Sequence, residues 1–234
     1  MRERFIAAAA VAMLTATGHV FAADLPAPAL PPPMPAIYNW NGFYVGVNGG
    51  WGDGLSNWLP SGQNSFSVGG YVLGGTAGFN YQVGQYVWGI EGDFDWTHVE
   101  GNSGQTCGAI SDLVPPPTGC ATQSDWLATV RGRFGYAWDN ILLYGTGGVA
   151  FGNVEVGLIP PSTFDSRTET GWTIGTGLEV GFAPNWTAKA EYLFVQLPNA
   201  TCSTVGNCGA AAGSAVSFNE NIIRVGVNFK FGAW

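Results

Sequence analysis

Charge is what this chain has least of. Asp, Glu, Lys and Arg make up 10% of its 234 residues, where a water-soluble domain carries about a quarter. Basic residues are the scarcer sign: eight Lys and Arg against sixteen Asp and Glu, a formal net charge of −8. That balance becomes one unit more negative once Arg2, Glu3 and Arg4 are set aside. A chain so poor in clustered Lys and Arg lacks the electrostatic footprint of a nucleic-acid binder. Long apolar runs are also missing. The only candidate, residues 5–14, is about half of the roughly twenty residues a spanning helix needs, and Gly or a polar residue interrupts every later stretch within a few positions. A helical membrane protein is thereby excluded.

Histidine is nearly absent, with two in the whole chain. His98 is the single one beyond the N-terminal region, so a Ser-His-Asp arrangement or a multi-His metal site lacks partners. An Asp95 and His98 dyad is the one hydrolytic pairing the residues permit. Glycine runs such as Gly145-Thr146-Gly147-Gly148 and Gly175-Thr176-Gly177 superficially resemble phosphate-binding loops, but no helix start follows them. No enzyme, metal or cofactor is therefore expected. Cysteine is limited to four residues: Cys107 and Cys120, then Cys202 and Cys208. Their spacing matches no zinc motif. Disulfides are the default behind an export signal. Of three possible pairings, the two local ones are favoured because each pair sits in its own expected loop.

What is present begins with targeting. Arg2 and Arg4, the Ala-rich apolar run and Val20-Phe21-Ala22 read as a signal peptide over residues 1–22. Residues 23–40 carry six prolines between Pro26 and Pro35, which favour extended, semi-rigid backbone and read as a periplasmic spacer. Residues 41–234 form the folded part.

There the dominant signal is alternation of large apolar side chains with small or polar ones, the period of a strand. Eight stretches show it. Their apolar faces begin with Phe43-Val45-Val47-Trp51, Tyr71-Leu73-Ala77-Phe79-Tyr81 and Trp88-Ile90-Phe94-Trp96. They continue with Trp126-Ala128-Val130-Phe134-Tyr136-Trp138 and Ile141-Leu143-Val149-Phe151. Trp172-Ile174-Leu178-Val180-Phe182, Trp186-Ala188-Ala190-Tyr192-Phe194 and Ile223-Val225-Val227-Phe229-Phe231 complete the set. Charges in these stretches fall on the opposite face. A soluble sandwich would bury the apolar face and send charge to water. Here aromatics gather near strand ends, as at the two interfaces of a membrane barrel.

Short turns at 83–85, 139–140 and 183–185 alternate with long links at 52–66, 98–123, 157–168 and 198–217. The pattern is that of short periplasmic turns and longer extracellular loops, with both termini on the periplasmic side. The expected fold is all-β, an eight-stranded antiparallel transmembrane up-and-down β-barrel.

Eight strands leave an interior just wide enough for side chains to fill. The inward charges are Glu91, Asp93, Asp95, Glu179 and Glu191 against Arg131, Arg133, Lys189 and Arg224, with Lys230 near the turn end. If Phe182 faces Trp186 across the last turn, Glu179 falls opposite Lys189. Two readings are open: a structural plug of salt bridges, or a narrow ion-selective path between the arginines and the third-strand carboxylates.

The exported start through Ala22-Ala23-Asp24-Leu25-Pro26, the opening strand Trp40-Asn41-Gly42-Phe43-Tyr44-Val45-Gly46, the Gly-rich second strand, Leu143-Tyr144-Gly145-Thr146-Gly147-Gly148 and an aromatic-rich final strand resemble a known group. It is that of the small OmpA-like and OmpX-like barrels, most closely the porin-family outer-membrane surface antigens of alphaproteobacteria. The resemblance implies residence among outer-membrane lipid and lipopolysaccharide, and recognition by the barrel-assembly machinery through a C-terminal aromatic. That residue is Trp234 here, not the more usual Phe. It also implies a structural and surface-exposed role. A small porin, or a receptor or adhesin whose loops take a ligand such as haem, are the alternatives.

Overall fold

The computed structural model describes residues 38–59, 64–103, 119–159, 163–201 and 215–232. Eight strands follow one another: β1 Gly42–Leu59, β2 Asn64–Val83, β3 Tyr86–Asn102, β4 Gly119–Trp138, β5 Ile141–Ile159, β6 Thr163–Ala183, β7 Trp186–Thr201 and β8 Ala215–Phe231. Each pairs antiparallel with its neighbours in sequence, and β1 closes on β8, giving an up-and-down barrel without a free edge. Closure leaves no unpaired edge, so the strands pair their N–H and C=O groups inside the sheet apart from four local register irregularities, the condition for crossing hydrocarbon with strands.

The turns are tight for chemical reasons. Gly84, with φ +61°, and Asp139, with φ +53°, occupy the left-handed region that short hairpins require. Each turn is tied sideways to the next hairpin. Ala137 N donates to Gln85 O at 2.7 Å, Gly181 N to Asn140 O at 2.8 Å and Lys230 N to Asn185 O at 2.8 Å. The side-chain amides of Asn140 and Asn185 reinforce the same joints. On β6 and β7, Glu179 is the ladder partner of Lys189, but an irregularity after Gly181 pairs Trp186 with Ala183 instead of Phe182.

The apolar residues of all eight stretches point outward. Trp88, Ile90 and Trp96 on β3 are each more than half exposed, as are Phe43, Val47, Tyr81, Ile174, Phe182, Ile223 and Val225 elsewhere. Two aromatic belts bound this surface. Near the turns run Phe43, Tyr81, Trp88, Tyr136, Phe182 and Trp186; toward the loops run Trp51, Tyr71, Trp96, Trp126, Trp172 and Phe194. The belts stand eight to ten residues apart along the six strands that carry both, β1–β4, β6 and β7. At ~3.3 Å per residue and a tilt of about 40° they enclose a band of roughly 20–25 Å, the height of an outer-membrane hydrocarbon zone.

The strands do not stop at the loop-side belt. They are 16–21 residues long and rise another six to nine residues as a collar. Two of the expected long links, 52–66 and 157–168, are mostly strand, and those at 98–123 and 198–217 shrink similarly. In the collar the two faces exchange character. Outward positions become polar: Asp53, Ser67, His98, Glu100, Asp125, Glu155, Thr168, Gln196, Asn219 and Asn221. Most inward ones become apolar, as at Phe66, Val68, Val99, Val154, Val156, Val195, Leu197 and Phe218, with Ser56, Thr122 and Glu220 buried among them. Below the belt the wall is built for lipid outside. Above it the wall has the polarity of a water-soluble barrel.

Candidate functional site: the barrel interior

Three layers fill the interior among the described residues. At the turn end Trp40, 1% exposed, packs with Val87, Ala137, Leu142 and Tyr144, and Tyr38 leans on this group. Trp40 N donates to Gln82 Oε1 at 2.9 Å, which draws the chain entering β1 across the barrel mouth. Lys230 lies 4.4 Å from the Tyr38 ring centroid and bonds Asn39 O. Burial, with Glu179 adding to it, pushes the Tyr38 phenol up to about 12, so it stays neutral. Positions 38–40, assigned from sequence to the spacer, are thus part of the barrel's stopper. The rest of that spacer and the signal region lie outside the described residues.

The middle layer holds the charges, supplied by alternate positions of β3, β4, β6, β7 and β8. Arg131 is wholly buried and reaches Glu91 at 2.6 Å, Asp93 at 2.8 Å and Glu191 at 3.2 Å. Arg224 reaches Asp95 at 2.7 Å, Asp93 at 3.2 Å and Glu191 at 2.7 Å. Arg133 bonds Glu179 at 2.7 Å and stands 3.5 Å from Glu91. It also receives the Tyr144 ring, whose centroid is 3.9 Å from the guanidinium carbon. Lys189 does not bond Glu179, its ladder partner. Its ammonium crosses the lumen to Glu91 at 3.1 Å, while Glu179 accepts from Arg133, Thr187 and Asn228. Register fixes neighbours within the wall, but in so narrow a barrel the long side chains find partners on the opposite wall.

Neutral groups complete this layer. Tyr44 donates to Glu91 at 2.7 Å, Tyr144 to Glu191 at 3.0 Å and Thr129 to Asp93 at 2.7 Å. The tyrosine rings fit because glycines face them: a Cβ on Gly78 or Gly177 would come within 2.4 Å of Tyr44 or Tyr144. Inward Gly at these positions is thus a space requirement, which accounts for Gly175 and Gly177 in one of the runs that resemble phosphate loops; Gly145 and Gly147 of the other face outward.

The third layer, at the level of the loop-side belt and in the collar, is the apolar cluster of Val72, Val99, Leu127, Ala150, Val154, Leu193, Val195, Leu197, Phe218 and Ile222, all below 2% exposed. Sequence reading missed it. It also missed Glu220, 1% exposed within this layer, although Glu220 continues the even-numbered inward set of Ile222 and Arg224.

Asp95 and His98 do not form a dyad. Asp95 points into the lumen and is fully buried, whereas the His98 side chain is 58% exposed on the outer wall, 4.0 Å from Glu100. Of the cysteines, Cys107, Cys202 and Cys208 lie outside the described residues, and Cys120 is described only as backbone of β4. Among the described residues no group of three or more His, Cys, Asp or Glu is arranged to hold a metal.

A family profile described as "Outer membrane protein beta-barrel domain" matches residues 7–231. The chain belongs to this family of outer-membrane β-barrel proteins. It is 32% identical to the 31 kDa outer-membrane immunogenic protein of Brucella melitensis over 95% of this chain and 98% of that one. To the 22 kDa outer membrane protein of Rhizobium leguminosarum it is 30% identical, over 85% and 82% of the two chains. Among solved structures it is similar to Ail, the attachment invasion locus protein of Yersinia pestis, at 16% identity and a TM-score of 0.42, covering 80% of this chain and 99% of that one. As a family member the protein is an integral outer-membrane barrel.

Proposed function

We propose that the protein is a non-enzymatic, non-conducting outer-membrane scaffold that carries its loop end on the cell surface, with the turn end and both termini in the periplasm. The observation that carries this reading is the filling of the interior by three stacked layers. Arg131 and Arg224 are paired with the third-strand carboxylates at 2.6–3.2 Å, which supports reading these charges as a mutual plug and not as the lining of a path. Above them the collar core would have to open for any ion to pass, exposing apolar surface at a cost of about 25 cal/mol per Å². The names of the Brucella relatives, immunogenic outer-membrane proteins, support surface display of the loops. In this reading the cysteine pairs at 107/120 and 202/208 pin those loops.

Planar-bilayer recording of the reconstituted protein tests the closed lumen. No discrete conductance steps are expected from the wild type. Stable steps that Arg131→Ala abolishes would replace the scaffold reading with that of a small porin.

A further inference from the structure

Among the described residues Glu220 is the buried carboxylate that the salt-bridge network does not use. It sits on β8 in the collar, beyond the loop-side belt, and is 1% exposed. Its ladder partners are Gly54 on β1 and Val195 on β7. Phe218 and Ile222, its inward neighbours along β8, belong to the apolar upper core. Beside it the inner wall of β1 has no side chain at three successive inward positions, Gly50, Gly52 and Gly54. Gly70, the ladder partner of Gly52, extends this slot onto β2, where Val68 and Val72 flank it. The carboxylate lies in the slot: a Cβ on Gly52 would stand 2.1 Å from Oε1.

Nothing around the slot answers the charge of an ionised Glu220. Its Oε1 is buried with no hydrogen-bond partner. On β1, Asp53 has the same sign and stands on the outer wall. Glu191 on β7 and Asp95 on β3 have the same sign too and are held by Arg224. Arg224, four residues along β8 toward the turns, has its guanidinium on those two and on Asp93. No charged side chain occurs on β2. His98 and Glu100 on β3 face outward, 4.0 Å from each other. On β4, Arg131 and Arg133 are engaged in the middle layer, and Thr122 bonds Ser56 of β1 at 2.9 Å. An anion buried here without compensation is costly, and a bound proton removes that cost.

We propose that Glu220 is a proton-operated latch of the collar. Neutral, it lies in the glycine slot and the apolar core stays closed; ionised, it favours a collar parted at β1 and β8, where water enters from the loop end. Burial, with Asp95 and Asp53 adding to it, pushes the Glu220 carboxyl up to about 8, whereas in an opened, wet collar it has its ordinary value of 4.5. Opening therefore releases a proton between those two values. The latch is fully closed below the lower one, the opening equilibrium grows by up to about tenfold per pH unit between them, and above the upper one it is flat. Salt-bridged carboxylates ordinarily give the opposite slope. The latch goes beyond the scaffold reading, and its test does not depend on whether the lumen conducts.

Hydrogen–deuterium exchange of the full chain in lipid nanodiscs, read by mass spectrometry on peptides covering 50–56 and 216–222, provides that test. Protection factors, corrected for the pH dependence of chemical exchange, are compared at about pH 5.5 and about pH 8. Wild-type protein is expected to lose protection roughly tenfold or more in these peptides as pH rises, with no loss in a lipid-band peptide covering 174–180. Glu220→Gln, which keeps the shape of the neutral side chain, should abolish the pH dependence. His98→Gln, which removes the imidazole from the outer wall, should keep it. Heat-modifiable migration on a gel confirms that each variant is folded. Constant collar protection in the wild type, a result that needs no variant, would overturn the proposal, as would an equal loss in folded Glu220→Gln.

Discussion

Arg131 shows how individual side chains hold the interior together. It contributes no exposed surface and bridges carboxylates from β3 and β7, so removing its charge takes one cationic partner from each of Glu91, Asp93 and Glu191 and leaves them to Lys189 and Arg224 in a water-poor lumen. Breaking one partner of a buried pair costs about 3–5 kcal/mol. Arg131→Met is expected to lower the free energy of unfolding by that order in a urea titration of the lipid-reconstituted protein. A loss below ~1 kcal/mol would mean that water already screens the network. The inward position of these charges was legible from period two alone. Their partners were not, because a pairing across the lumen depends on which side chains meet in three dimensions. Lys189 illustrates this: its ladder neighbour is Glu179, yet its ammonium is on Glu91.

At the scale of a strand, the change of polarity at the loop-side belt explains both what sequence reading recovered and what it missed. Within the lipid band β6 alternates Trp172, Ile174 and Leu178 outward against Thr173, Gly175 and Gly177 inward, and the pattern is plain. Beyond Trp172 the outward set becomes Thr170, Thr168 and Ser166. The two-residue period persists, but its hydrophobic phase fades or inverts. A reader following one phase therefore ends the strand at the belt and assigns the collar to a loop. The same loss of phase hid Glu220 and the apolar upper core.

A lipid-facing Arg costs about 2–4 kcal/mol at the bilayer midplane and ~0–1 near or beyond the interface. Leu178→Arg should therefore destabilise the barrel by the larger amount and Thr168→Arg, on the same face of the same strand, by the smaller. Equal costs would place the bilayer elsewhere on the wall.

Across the described residues, the lower half is a membrane barrel with a polar interior and the upper half a collar with a polar outer face and a mostly apolar interior. Trp40 closes the turn end and the collar core closes the loop end, with the salt-bridge network between them. In the proposed reading this body is a closed scaffold that presents its loop end at the cell surface and passes no solutes. Hydroxyl-radical footprinting of the protein in lipid bilayers, read residue by residue by mass spectrometry, tests this directly because it reports contact with water at each side chain. A filled interior predicts rapid oxidation of His98 and Leu55 on the outside of the collar, with Tyr44, Tyr144, Leu127 and Phe218 protected. Oxidation of Tyr144 and Leu127 at rates near that of His98 would show a water-filled lumen and contradict it.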